Sequence, residues 1–390
     1  MLKKGVFVNL LTIVFFVCLS LLLLEIGVRG LVPKTSWQFR DFTSDWQLDQ
    51  VLGWVQKPNL DVSERTDFGW IVRFQTNEDG LTPATAKRTK TNNRIRIMIF
   101  GDSIVVGRSV PQDQTVSAQL EQLLQSQNIN AEVINAGVQG YATDQALLRM
   151  IQLLPLYKPD LVIYGLCQND FLGNQARVAH GQAKPVYKIQ GPGEIVMVPP
   201  VLKDKIYTGG SGLRKWIQYS ALYRYLQPGF LKLRMMLGRW DSQNTVVPDE
   251  LDEFYYNQES LKKINWNLFK YLITQMAAVS KANGAQFLFY AHPSLHEVWE
   301  PYIKNIEEIL KIKPGHYDKY AIESRLVRIA HEENIVFIPM INWFWKHESG
   351  GPFHLLPRDP HCNQKGYRLI AENLGGYCRE FLAHRREFTQ

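Results

Sequence analysis

The chain has 390 residues, 45% of them hydrophobic and 21% charged, and a formal net charge of +7 at pH 7. This length suits one large domain with insertions or two modest ones, and the composition excludes a disordered or fibrous chain. The positive balance is mild and no basic run dominates, so nucleic-acid binding has no support, while work near an anionic membrane surface stays compatible.

In chain order, the first feature is a short basic tip, Lys3 and Lys4, followed by an uncharged apolar run from Gly5 to Leu24. That run is about the length of a helix crossing a bilayer core. No small-x-small cleavage site follows it, so residues 1–27 are expected to be a cytoplasmic tip and an uncleaved transmembrane signal-anchor. Lys3 and Lys4 favour the short end in the cytoplasm; Arg29 and Lys34 weaken that bias without reversing it. The rest of the chain is then expected outside the cytoplasm, in the periplasm or at the cell surface. Residues 28–93 are expected to form a linker and small β appendage, because VLGWVQKPNL and FGWIVRFQTNEDGL carry strand-like residues broken by Pro, Asn and Gly. Thr82 to Asn93 is polar and basic and reads as a loop.

From residue 94 the pattern becomes regular. RIRIMIFGDSIVVG opens with a short apolar run that reads as a strand buried on both faces, turned sharply at Gly101. An amphipathic helix follows, with Leu120, Leu123 and Leu124 at helical spacing. AEVINAGVQG reads as a second strand, TDQALLRMIQLLPLY as a helix, and PDLVIYGL as a third buried strand ending at the polar turn Cys167–Asp170. Residues 171–253 break this rhythm as an insertion or lid. It contains a hairpin of PVYKI and EIVMVPP and two apolar, basic helical stretches, LRKWIQYSALYRYL and GFLKLRMMLGRW. These stretches read either as helices packed on the core with a basic outer face or as a membrane-surface or cleft-covering element. Alternation returns with a long helix over 261–284, a fourth strand AQFLFYAHP, a helix YAIESRLVRIAHEEN, a fifth strand NIVFIPM and a closing helix GYRLIAENLGGYCREFL. Alternating strands and helices predict a parallel sheet with right-handed crossovers.

Several strand ends carry polar residues toward one sheet edge, where ligands sit in open parallel sheets. Ser103 follows the first strand, Gly140 the second, and Asn169 the third; Asp359 and His361 precede the last helix. A nucleophilic serine needs a base, and the base needs an orienting acceptor. His361 can take the Ser103 proton and Asp359 can hold its tautomer. The Ser103 N–H, the Gly140 N–H and the Asn169 side-chain amide are natural oxyanion donors. Each residue also has a plain reading: Asp102 or Ser103 as a helix cap, Asn169 as a turn residue, Asp170 as a loop brace, His361 as a helix-start residue. His292 and His296 have metal-like spacing, but Pro293 lies between them and no third ligand is evident; the four cysteines, Cys18, Cys167, Cys362 and Cys378, form no CxxC pair.

These blocks resemble the SGNH (GDSL-like) hydrolase family. Gly101–Ser103 matches its first block, NAGVQG ending at Gly140 its second, CQND with Asn169 its third, and DPH followed by CNQKG its last, with His361 as base. The upstream LGWVQKPN and DGL pieces resemble membrane-anchored bacterial members. The resemblance covers residues 94 to about 382, outside the insertion. It implies a three-layer α/β/α, flavodoxin-like fold with a five-stranded parallel sheet, here over 94–390. It also implies carboxylic-ester chemistry through an acyl-serine, with no cofactor and no metal. Two positions depart from the family pattern: Cys167 stands where glycine is usual, and Asp359 lies two residues before His361 where three is common. The expectation is therefore a membrane-tethered, extracytoplasmic serine esterase or O-acyltransferase. Its partners would be an ester substrate, either an acylated polysaccharide or a lipid, and the membrane through the N-terminal helix, without nucleic acid. A lysophospholipase-like hydrolase and a non-catalytic envelope binding or scaffolding protein are the competing readings.

Overall fold

The computed structural model describes residues 4–34, 42–66, 70–91, 94–191, 194–202, 219–236, 262–309, 313, 315, 317–347, 353–356 and 359–387. These fall into two compact units, one of residues 1–44, 62–73 and 208–240, the other of 45–61, 74–207 and 241–390.

In the first unit, Lys4–Leu31 forms one 28-residue helix, and its stretch Val8–Leu31 is long and apolar enough to cross a membrane. Many of its apolar side chains are exposed, Phe15 at 61% and Leu23 at 59%. A second helix, Ala221–Met236, starts on the first. The Glu25 carboxylate accepts from the Ala221 and Leu222 N–H groups, at 2.8 and 2.9 Å, and from the Ser220 hydroxyl at 2.9 Å. Glu25 thus satisfies N–H groups that the start of a helix leaves without intrahelical acceptors. Arg29 pairs with Glu25 and donates to the Tyr219 carbonyl. The two helical stretches expected in this region are one helix across residues 221–236, running through Pro228 and Gly229; their outer parts, 213–218 and 237–240, lie outside the described residues.

The second unit is built on five parallel strands: β1 (Ile95–Gly101), β2 (Ala131–Asn135), β3 (Leu161–Leu166), β4 (Gln286–Ala291) and β5 (Val336–Ile338). Their spatial order is β5-β4-β3-β1-β2. β1 pairs with β2 on one side, Ile97 opposite Val133, and with β3 on the other, Phe100 opposite Tyr164. The chain therefore reverses direction across the sheet between β1 and β3, the place where open α/β sheets form a crevice. Helices α1 (Val116–Ser126), α2 (Thr143–Tyr157), α3 (Trp266–Ala282), α4 (Ala321–Glu333) and α5 (Gln364–Glu387) connect and close the strands. α1 packs with α5, and α2 with α3. α2, α3 and α4 share one apolar core with the sheet, built from residues such as Met150, Leu154, Phe269, Met276, Leu326 and Phe289. The three-layer α/β/α arrangement with a five-stranded parallel sheet is the expected one.

The β1 run is buried because helices cover both faces; Ile97, Met98, Ile99 and Phe100 are fully inaccessible. The one charge inside it, Arg96, is matched: its guanidinium bonds Glu132 at 2.7 Å and the carbonyls of Arg88 and Tyr157. The segment before β1 contributes a hairpin, Trp46–Asp49 with Gly53–Gln56, to this same unit. Its Trp46 and Trp54 are buried and stacked at 5.1 Å. The expected hairpin in the insertion is present as Val186–Gly191 paired with Glu194–Val198. The helix expected over 261–284 is regular from Trp266, because the Asn265 side chain caps it by accepting from the Leu268 N–H. Two short helices, Glu300–Ile309 and Ile341–Lys346, and a hairpin of His354–Leu356 with Asp359–Cys362 were not anticipated.

Candidate active site

β1 ends at Gly101, where any side chain would strike the neighbouring strand. A Cβ there would lie 2.6 Å from the Gly165 carbonyl oxygen and 2.5 Å from Val105 Cγ2. The chain then passes directly into a one-turn helix, Ser103–Val106, whose N-cap is Asp102. The Asp102 carboxylate accepts from the Ile104 N–H at 2.9 Å. Asp102 therefore takes the capping role and leaves Ser103, half-buried, as the first helical residue.

Three further segments meet this turn. The loop after β2 is pinned to it by the Val138 N–H donating to the Gly101 carbonyl at 3.0 Å. Gly140 on that loop has φ +77, a left-handed conformation that disfavours side chains, and a Cβ there would lie 2.4 Å from His180 Cδ2. Behind the loop stands Trp54, whose indole N–H donates to the Gln139 carbonyl at 3.1 Å, while the Tyr141 hydroxyl donates to the Trp54 carbonyl at 2.5 Å. The turn after β3 brings Asn169, whose side-chain amide lies near enough to the Asp102 carboxylate to favour its charged form. The Asp359–Cys362 strand packs on the Ser103–Val106 helix, and His361 lies close enough to Asp102 for their charges to interact. Ser103, Gly140, Asn169 and His361 thus come from four separate segments to one sheet edge, at the β1/β3 reversal. The Asp359 backbone belongs to the hairpin, opposite Leu356, but its side chain lies outside the described residues.

The ground beneath this edge is dry and acidic. Burial raises the Asp102 carboxyl above the usual range, opposed by the Ile104 N–H, by His361 and by the Asn169 amide. Asp170 is raised further, first by burial and then by the charge of Asp102. It braces the turn: its Oδ2 accepts from the Tyr164 hydroxyl at 2.6 Å and from the Cys167 N–H at 3.1 Å. Burial also pushes the Cys167 thiol well above its ordinary value, so the residue replacing the family glycine is a protonated packing group and not a nucleophile.

Two supports were missed in the sequence. Gln168 Nε2 donates to Glu297 Oε1 at 2.6 Å, tying the β3 turn to the segment after β4. Burial lifts the Glu297 carboxyl to about 8. The signal for this residue is Ser294-x-x-Glu297, a capping box in which the Ser294 N–H donates to Glu297 Oε2 at 2.8 Å. Trp54 gave no local signal, because its partner lies 85 residues away.

The histidine pair weighed as a metal site separates. His296 faces Tyr317, ring centroids 6.0 Å apart, and burial lowers it to about 3, so it is neutral. His292 instead faces His354, with centroids 5.4 Å apart.

Comparison with known proteins places this geometry in context. The sequence model of the GDSL-like Lipase/Acylhydrolase family matches residues 99–369, well over half of the chain. An arylesterase of Vibrio mimicus is 32% identical over 77 residues, covering 20% of this chain and 38% of the relative. The chain thus spans well under half the length of that relative. Among solved structures, the psychrotrophic esterase EstA from Pseudoalteromonas sp. is 14% identical with a TM-score of 0.35, covering 74% of this chain and 98% of its own. A catalytic mutant of Axe2, an acetylxylan esterase from Geobacillus stearothermophilus, is 12% identical with a TM-score of 0.37, covering 72% and 92%.

Proposed function

The chain belongs to the GDSL-like lipase/acylhydrolase family, and on that premise we propose that it is a membrane-tethered, extracytoplasmic serine esterase. The observation that supports this reading most is the meeting of Ser103, Asn169 and His361 around Asp102 at one sheet edge. In the proposed reaction Ser103 Oγ attacks the ester carbonyl and passes its proton to His361, with Asp359 orienting the imidazole. The N–H groups of Ser103 and Gly140 and the Asn169 amide receive the negative charge as it develops on the carbonyl oxygen. The intermediate collapses as His361 protonates the departing alcohol, leaving an acyl-serine. Water then attacks the acyl-serine, or an acceptor hydroxyl does so, in which case the net reaction is acyl transfer. Asp102 is a positioning residue: it caps the helix that presents Ser103 and lies beside the Asn169 amide.

The substrate is a carboxylic ester of an envelope polysaccharide or a lipid. Residence at the membrane is supported by the Val8–Leu31 span and by the helix that Glu25 starts on it. That helix exposes Tyr223, Leu226, Phe230 and Leu233, apolar groups suited to the interfacial layer beside a span. The deciding experiment is turnover of a p-nitrophenyl ester by the detergent-solubilised chain and by Ser103→Ala. A loss of about 10³-fold or more with an unchanged circular dichroism spectrum is expected. Unimpaired turnover by the variant rejects the assignment. Adding a soluble alcohol or sugar acceptor then separates hydrolysis from transfer by the products formed.

A further inference from the structure

The hairpin carrying His361 has two faces. His354 and Cys362 are direct cross-strand partners, so their side chains project to the same side. His361 lies one residue earlier, in the stretch where the pairing register of the two strands shifts. On the inner side, His354 and Cys362 meet His292, which follows β4 and is held by its own N–H donating to the Leu166 carbonyl at 2.8 Å. All three are buried, at 3%, 0% and 3% exposure for His354, Cys362 and His292. One ligand atom from each lies within 4.8 Å of the others, and Cys362 Sγ is 3.9 Å from His292 Nε2 and 4.0 Å from Nδ1.

We propose that His292, His354 and Cys362 form a binding site for a zinc-class transition-metal ion, one that clamps the hairpin bearing His361 to the end of β4. The donors are two imidazoles and a thiolate, a set that suits zinc(II) and its borderline-soft neighbours and does not suit calcium or magnesium. Metal–nitrogen and metal–sulfur bonds of about 2.0 and 2.3 Å put tetrahedral ligand atoms roughly 3.5 Å apart; the three donors, now within 4.8 Å of one another, must draw together by about 1 Å, and the His292 ring must turn to aim one nitrogen, since both lie nearly equidistant from Sγ at 3.9 and 4.0 Å. The Pro293 carbonyl, which can only accept, lies 2.9 Å from His354 Nε2, so Nε2 donates and Nδ1 presents its lone pair in the neutral ring. On binding, the Cys362 S–H bond breaks, its proton leaves to solvent, and the sulfur electron pair forms the metal bond. The sequence could offer only His292 and His296. The third ligand and the correct second one come from a hairpin more than 60 residues away, as the separation of 61 between His354 and Pro293 shows.

The test uses the full chain purified in detergent, treated with a chelator and then titrated with Zn²⁺ or Co²⁺ alone. Binding of one equivalent is expected, with a near-ultraviolet thiolate-to-cobalt charge-transfer band and a higher melting temperature in zinc. Cys362→Ser should lose that band and bind cobalt at least about 10-fold more weakly, as expected for removal of a direct ligand. Ser103→Ala and His296→Gln should bind as the unaltered chain does. If Cys362→Ser does not fold, the unaltered chain decides alone. A folded chain that takes up no stoichiometric metal, or takes it up without the charge-transfer band, overturns the site. The readout is metal binding and not turnover, so its failure leaves the esterase reading standing.

Discussion

At the scale of single residues, the buried carboxyls around the proposed nucleophile divide into those that hold structure and those that face the reaction. Asp170 belongs to the first kind, accepting from a hydroxyl and a backbone N–H that no water reaches. Asp170→Ala leaves the Cys167 N–H buried and unmet and the Tyr164 hydroxyl with only Thr143 Oγ1, at 3.0 Å, at a cost of about 1–3 kcal/mol. Asp170→Asn, which keeps an acceptor and matches the protonated acid in shape, should cost less; thermal unfolding of the two variants checks the order. Glu297 gives a pH signature. Its native carboxyl is raised to about 8 from the ordinary 4.5 by burial, so the folded chain keeps a proton that the unfolded chain releases. The associated stability is full below about 4.5 and is lost as pH rises to about 8. Glu297→Gln should therefore melt with a flatter pH dependence across that window, seen by scanning fluorimetry at several pH values; an unchanged slope would show that another group sets it. Gly140→Ala meets the left-handed penalty of roughly 1–2 kcal/mol and the His180 ring at 2.4 Å. Because His180 is an exposed side chain that can yield, the variant should fold while its ester turnover falls.

At the scale of elements, the strand ends of β1 and β3 were readable because a buried parallel strand writes itself as an unbroken apolar run closed by glycine or a polar turn. Ser103 and Asn169 could be located from those runs alone. The hairpin that brings His361 was not readable. Its strands are three and four residues long, include Pro360, and carry no alternation longer than their own register. The same holds for the Trp54 hairpin, whose value lies in a contact with the Gly140 loop across 85 residues and not in any local pattern. The one continuous helix at Ala221–Met236 was read as two, because Pro228 and Gly229 usually mark a break. Its start depends on Glu25, which caps it from the apolar helix. Glu25→Ala should remove an N-terminal cap, an effect of about 0.5–2 kcal/mol. Hydrogen exchange in detergent should show the amides of Ala221–Met236 opening faster; unchanged protection would mean that the helix holds without its cap.

At the scale of the whole molecule, the expected division at residue 93 and the compact units differ in where the early hairpin falls, since residues 45–61 cluster with the sheet. Chain-distant contacts of this kind are what a linear pattern cannot carry. The alternation of the five strands with α1 to α5, by contrast, was legible, because each of these steps buries apolar residues at the period its element requires. The central claim is that a hydroxyl after β1 is activated by an imidazole arriving near the chain's end. The most direct measurement is labelling of the intact, detergent-solubilised chain with a fluorophosphonate probe, with the modified peptide located by mass spectrometry. The account predicts one adduct on Ser103, abolished in His361→Ala. An unlabelled chain, or an adduct on another residue that survives Ser103→Ala, contradicts it.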